Sequence, residues 1–157
     1  MVQSTRTGTT NAAPPEGLAG SRAPQQGARI TGTAHRDDHS GPGPEIMAAT
    51  SFDRQTVVNA QGENLGEIKE IMLDVRGGRI AYALLAVSGF LGIGEKYFAI
   101  PWSAITMDTD HKHFILDVDK ERLKNAPGFD KEHWPAMADH TWATGVHTYY
   151  AVRPYWE

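Results

Sequence analysis

Apolar positions are unevenly distributed along the chain. In residues 1–50 they are sparse among Thr, Gly, Pro, Ala and Gln, and neither a period of two nor one of 3.6 is sustained. After Phe52 the texture changes to short apolar runs separated by turn residues. Residues 56–59 predict a first strand, and Gln61-Gly62-Glu63-Asn64 a turn. Residues 65–75 predict a second strand, in which Ile71, Leu73 and Val75 alternate with Met72 and Asp74 and are expected to face inward. Ile68 is out of phase with that set across Lys69-Glu70, a one-residue slip that predicts a β-bulge. Arg76-Gly77-Gly78 supplies a tight hairpin turn. Residues 79–88 are apolar on both faces, which predicts a central strand covered on both sides. One cover is expected to be a barrel interior, and the other a helix, the C-terminal segment or a second subunit.

The remaining runs are short. Residues 96–100 predict a fourth strand ended by Pro101, which has no N–H to donate to a ladder. Residues 102–104 read as a turn, residues 105–107 as a fifth strand, and residues 113–118 as a sixth, after a turn at Thr109-Asp110-His111. Asp119 is placed to cap a short helix reaching Leu123, which Pro127-Gly128 stops. Short strands at this spacing predict an all-β fold, a small antiparallel six-stranded barrel with one short helix. Residues 127–157 contain three of the four tryptophans, together with Tyr149, Tyr150 and Tyr155, but few aliphatic residues. Trp134-Pro135 reads as a turn leading into a short helix. Three regions follow: a disordered low-complexity tail over 1–50, a barrel over 51–126, and an aromatic extension over 127–157 that packs on the barrel or on a second subunit.

Composition sharpens this division. No Phe, Tyr or Trp precedes Phe52, and five of the nine prolines fall in the first 50 residues. About 100 residues remain to fold, enough for one modest core. Acidic and basic residues balance within the tail, so the formal charge of −4 sits on the folded part. An acidic domain without a Lys/Arg cluster argues against general nucleic-acid binding. Cysteine is absent, which removes disulfides, thiolate metal sites and a cysteine nucleophile. There is no apolar leader and no run near the roughly 18 apolar residues of a membrane span, so a cytoplasmic location is expected.

Candidate chemistry is sparse. Gly89 and Gly94 have the spacing of a phosphate loop, but Glu95 stands where that loop needs lysine, and a strand follows where a helix should begin. A glycine-rich connection is the better reading. His35, Asp37, Asp38 and His39 lie in the tail and read as solvated polar residues. His133, His140 and His147 recur every seven residues, but a helix aligning them would run through Pro135 and Gly145. His111 and His113 are the one local pair. On a strand they point to the same face, and Asp108, Asp110 or Asp117 can complete a metal site with them. Exposed histidines beside a turn are the plainer reading. No catalytic motif is present, and neither an enzyme nor a cofactor is expected.

One stretch resembles a known family. Gly62, Leu65-Gly66-Glu67-Ile68, Leu73-Asp74, Gly77-Gly78-Arg79-Ile80, Leu91-Gly92-Ile93-Gly94-Glu95-Lys96 and Ala99-Ile100-Pro101-Trp102 together resemble the PRC-barrel family, over residues 52–125. The family includes the photosynthetic reaction centre H subunit and the C-terminal domain of a ribosome-maturation factor. The resemblance implies a compact six-stranded barrel that binds other macromolecules, usually proteins, with no shared catalytic residues. The chain looks like the stand-alone bacterial members. Residues 1–50 read as a low-complexity tail, so neither the additional N-terminal barrel of the ribosomal branch nor the membrane helix of the reaction-centre branch is expected. The expected function is therefore an adaptor barrel with an unidentified protein partner, self-associating through Phe90, Leu91, Ile93, Tyr97 and Trp102. A small-ligand or metal-responsive sensor using His111 and His113 is the first alternative, and a ribosome-associated maturation factor the second.

Overall fold

Four antiparallel strands in sequence order form the centre of the molecule, seen in a computed structural model that describes residues 27–32, 45–89 and 94–157. A single 3-10 turn at Ala49–Phe52 leads into β2 (Thr56–Val58), followed by β3 (Asn64–Asp74), β4 (Arg79–Val87) and β5 (Lys96–Pro101). Upstream lies β1 (Arg29–Thr31), and downstream come β6 (Ile105–Asp108), β7 (His113–Leu116), α1 (Lys120–Lys124), β8 (Gly128–Phe129) and α2 (His140–Tyr149). The strands form one sheet in the order β1-β6-β7-β2-β3-β4-β5-β8.

That sheet corrects the expected six-stranded antiparallel barrel in two respects. It is mixed: β2 pairs parallel with β7, and β1 parallel with β6. It is also an eight-stranded open ladder. A closed barrel would join β5 to β6, but the 3-10 turn Trp102–Ala104 separates them and each edge already has another partner. The β6 edge pairs with β1, and the β5 edge pairs with β8 through Tyr97↔Phe129 and Phe98↔Gly128. Neither short strand carries a local signal, and β1 falls inside the stretch expected to be a disordered tail. Most of that tail, residues 1–26 and 33–44, lies outside the described residues.

The sheet nevertheless wraps around one core. Val57, Leu65, Ile68, Leu85, Phe98, Ile100, Ile105, Phe114 and Leu116 are buried in a single cluster. Ladder partners explain the selection: Leu85 faces Phe98 and Ala83 faces Ile100, so these side chains share the inner face. The expected bulge is present, because the β3–β4 register slips between Ile68 and Glu70. It turns Ile68 inward while Lys69 and Glu70 stay exposed. A second slip between Met72 and Leu73 corrects the expected inward set. Ile71 is half-buried, but Leu73 is 62 % and Val75 89 % exposed. The end of this hairpin projects beyond the core.

Gly66 is required where β3 passes closest to β4. Its φ is +147°, and a Cβ there would stand 2.3 Å from the Ala86 carbonyl oxygen. At the hairpin turn Asp74 accepts the Gly77 N–H at 3.0 Å and pairs with Arg79 Nε at 3.0 Å. These bonds hold the half-buried Asp74 carboxyl below the usual carboxylate range, the Gly77 N–H contributing most. Asp119 caps α1 by accepting the Arg122 N–H at 2.6 Å.

The second cover of β4 comes from the chain itself. Residues Ala81 through Ala86 are all buried. On the outer face Leu84, Ala86 and Tyr97 meet Phe129 and Met137. Tyr82 meets Trp142, His147 and Tyr155, with ring centroids 5.5–5.7 Å apart. Val146 of α2 and Tyr150, which caps its C-terminal end, join the main core. Arg122 fastens the end of α2 to α1 by donating to the Tyr149 carbonyl at 2.7 Å, while the Tyr149 hydroxyl donates to the Arg122 carbonyl. The short helix read after Trp134-Pro135 is α2, which begins at His140, capped by Asp139, and runs through Gly145.

Candidate functional site

The side chains with chemical potential gather at the β6–β7 turn. Asp108 ends β6, His113 begins β7, and the two are ladder partners across the hairpin. His111 lies in the connecting turn, which closes through Lys112 at a φ of +52°. Asp108 organises the turn because its Oδ1 accepts the backbone N–H groups of Asp110 at 3.0 Å and His111 at 3.1 Å. Its Oδ2 is thereby aimed at both imidazoles, 2.8 Å from His111 Nδ1 and 3.6 Å from His113 Nε2. The two rings stack, with centroids 5.4 Å apart and planes 13° from parallel. The His111 side-chain and backbone hydrogen bonds hold the Asp108 carboxyl below its ordinary range.

A ring nitrogen from each histidine and one Asp108 oxygen all lie within 4.8 Å of one another. The structure thus brings His111 and His113 together with the first of the three aspartates read as possible completions. Asp117 lines a different hollow. The other histidines do not join this group. His133 pairs with Asp130 at 2.7 Å in its own turn. His140 lies on α2 against Trp156. His147 is buried and donates from Nδ1 to the Ala143 carbonyl at 2.7 Å, and burial lowers its pKa.

Of the five residues expected at an interaction surface, Tyr97 and Trp102 fall within the described residues. Phe90, Leu91 and Ile93 lie outside the described residues. Tyr97 is buried, 4 % exposed, beneath Phe129 and Trp134, and its hydroxyl donates to Glu95 at 2.9 Å. Glu95 therefore serves the start of β5, and a strand follows the glycine-rich stretch as expected. Trp102 is half-buried against Phe52 and Phe114, with centroids 5.6 and 6.1 Å away. A contact through the buried Tyr97 would require the C-terminal segment to lift. The exposed apolar side chains Leu73 and Val75 were not singled out, because their alternation reads as inward-facing.

The hollow of about 480 Å³ between α1, β7 and the end of α2 holds Ser103 and Asp117 but no histidine. It therefore contains no Ser-His-Asp arrangement. Among the described residues no helix is long and apolar enough to cross a membrane.

A predominantly β sheet curled around one core, with a glycine-closed β3–β4 hairpin and a Pro-Trp exit from β5, defines a small β-rich module with few helices. Residues 44–123, about half of the chain, match the PRC-barrel domain family, and the chain belongs to that family. No curated protein matches the sequence.

Proposed function

We propose that this chain is a non-enzymatic protein-interaction module that associates with copies of itself. Membership of the PRC-barrel family supports the coarser part of this reading, a small interaction module. The observation that carries the rest is the exposure of Leu73 and Val75 at the end of the β3–β4 hairpin. Large apolar side chains projecting together from a small domain favour contact with another protein surface over water. The apolar outer face of β4 no longer argues for self-association, because Phe129, Met137 and α2 already cover it. The apolar tip Phe90-Leu91-Ile93 remains a second candidate contact on its sequence alone. The cytoplasm is the proposed compartment, on the absence of cysteine.

Light scattering at micromolar concentration is expected to give a multiple of 17.2 kDa. The double variant Leu73→Lys/Val75→Lys is expected to return a monomer with unchanged thermal stability. A wild type of 17.2 kDa throughout would refute self-association. Retention of the oligomer in that variant, with loss in Phe90→Ser/Leu91→Ser, would move the contact to the loop.

A further inference from the structure

We propose that the β6–β7 turn is a binding site for a divalent transition-metal ion, with Asp108, His111 and His113 as its three protein ligands. The inference is independent of the adaptor reading. It begins with a fixed hairpin. Asp108 and His113 face each other in the ladder, so their Cα separation is set by strand pairing and does not depend on a mobile loop. His111 is then carried back over them by the turn, whose N–H groups at Asp110 and His111 both bond to Asp108 Oδ1. One carboxylate oxygen is thereby occupied in orienting the group, and the other is left to act as a ligand. Outer-sphere hydrogen bonds perform the same task in metal sites generally.

The three donors converge. His111 Nδ1 and His113 Nε2 lie 2.8 and 3.6 Å from the same oxygen, and one atom from each residue fits within 4.8 Å. Ligands at about 2.0–2.2 Å from a tetrahedral ion stand roughly 3–3.6 Å apart. Small side-chain rotations therefore close the set without moving the backbone. A cation seated between the two imidazoles and Asp108 Oδ2 would take all three atoms as ligands at once. Two imidazoles and one carboxylate select Zn²⁺, Ni²⁺ or Cu²⁺ over Mg²⁺ and Ca²⁺, which prefer all-oxygen shells.

Exposure decides what kind of site this is. The Asp108 side chain is 13 % exposed and His113 24 %, while His111 is 72 % exposed. The ion would sit at the surface with at least one coordination position open to water or to a donor from another molecule.

The test is calorimetric titration of the full chain with ZnCl₂, and separately with MgCl₂. One Zn²⁺ per chain is expected, with no Mg²⁺ heat. Long-range ¹⁵N spectra of the imidazoles should shift for His111 and His113 and leave the other histidines unmoved. His111→Gln, at a position exposed enough to leave folding unchanged by circular dichroism, should weaken binding at least tenfold, and so should His113→Gln. His35→Gln/His39→Gln should bind as the wild type does. No heat above dilution would overturn the proposal. So would wild-type affinity in the His111→Gln/His113→Gln double variant, equal binding of Mg²⁺, or loss of binding in the His35/His39 variant.

Discussion

Two adjacent residues of α2 should shift stability in opposite directions, and the pair tests whether the C-terminal extension belongs to the cooperative core. Gly145 is the sixth of the ten residues of α2, is exposed, and has no atom within 4 Å of where a Cβ would stand. Gly145→Ala should therefore add about 0.8–1 kcal/mol from backbone propensity alone, with no clash to set against it. Val146, one position on, is 2 % exposed and part of the main core. Val146→Ala removes two carbons at about 0.8 kcal/mol each and leaves a cavity, a loss of about 2–3 kcal/mol. Equilibrium unfolding in urea, followed by near-ultraviolet circular dichroism of the tryptophans, reads both. For a domain of this size the alanine variant should gain about 4–8 °C in Tm, with the urea midpoint raised and the slope unchanged. The valine variant should lose two to three times as much. If both substitutions leave the global midpoint unmoved, α2 is not part of the unit that unfolds together, and the assignment of the second cover of β4 to this chain fails. A loss on Gly145→Ala would refute the exposure argument itself.

Three further outcomes follow from single contacts. Gly66→Ala should destabilise by more than about 3 kcal/mol or prevent folding, since it combines a left-handed φ with a 2.3 Å approach to the Ala86 carbonyl; a urea midpoint within experimental error of wild type would contradict this. Asp119→Ala should cost about 1 kcal/mol by removing the α1 cap, and Asp119→Asn should recover most of it in the same measurement. Stability should fall between pH 7 and pH 5 through His147. Burial lowers its pKa below the ordinary 6.5, partly opposed by the bond to Ala143 and the Glu157 carboxylate. In that window the unfolded chain binds the proton that the folded one excludes, so stabilisation present above pH 6.5 is lost as pH falls towards the folded value. His147→Gln should flatten that slope in urea titrations at several pH values, and an unchanged slope would show that another group is responsible.

Much of the fold was legible because it depends on neighbours in sequence. Short apolar runs between turn signals marked the strands from β2 to β7, the phase slip at Lys69-Glu70 marked the bulge, Gly77-Gly78 marked the hairpin, and Asp119 marked the cap. Each signal lies within a few residues of the feature it describes. The glycine pattern and the Pro-Trp exit sufficed for the family. His111 and His113 were legible as a pair by their closeness in sequence, although the turn through Lys112, and not a strand period, stacks the two rings.

Tertiary structure decided which surfaces were covered, and by what. Periodicity shows that residues alternate but does not identify their neighbours. Leu73 and Val75 therefore read as core, yet the second register slip and the length of the hairpin leave them in solvent. Tyr97 and Trp102 read as residues near a contact because nothing local shows that Phe129 and Trp134 pack against one, or that Phe52 and Phe114 flank the other. Barrel closure failed for the same reason. The edges of β5 and β6 are taken by β8 and β1, strands of two and three residues too short to show a period. Asp108 was one of three equivalent aspartates in sequence; only the ladder that sets it opposite His113 distinguishes it.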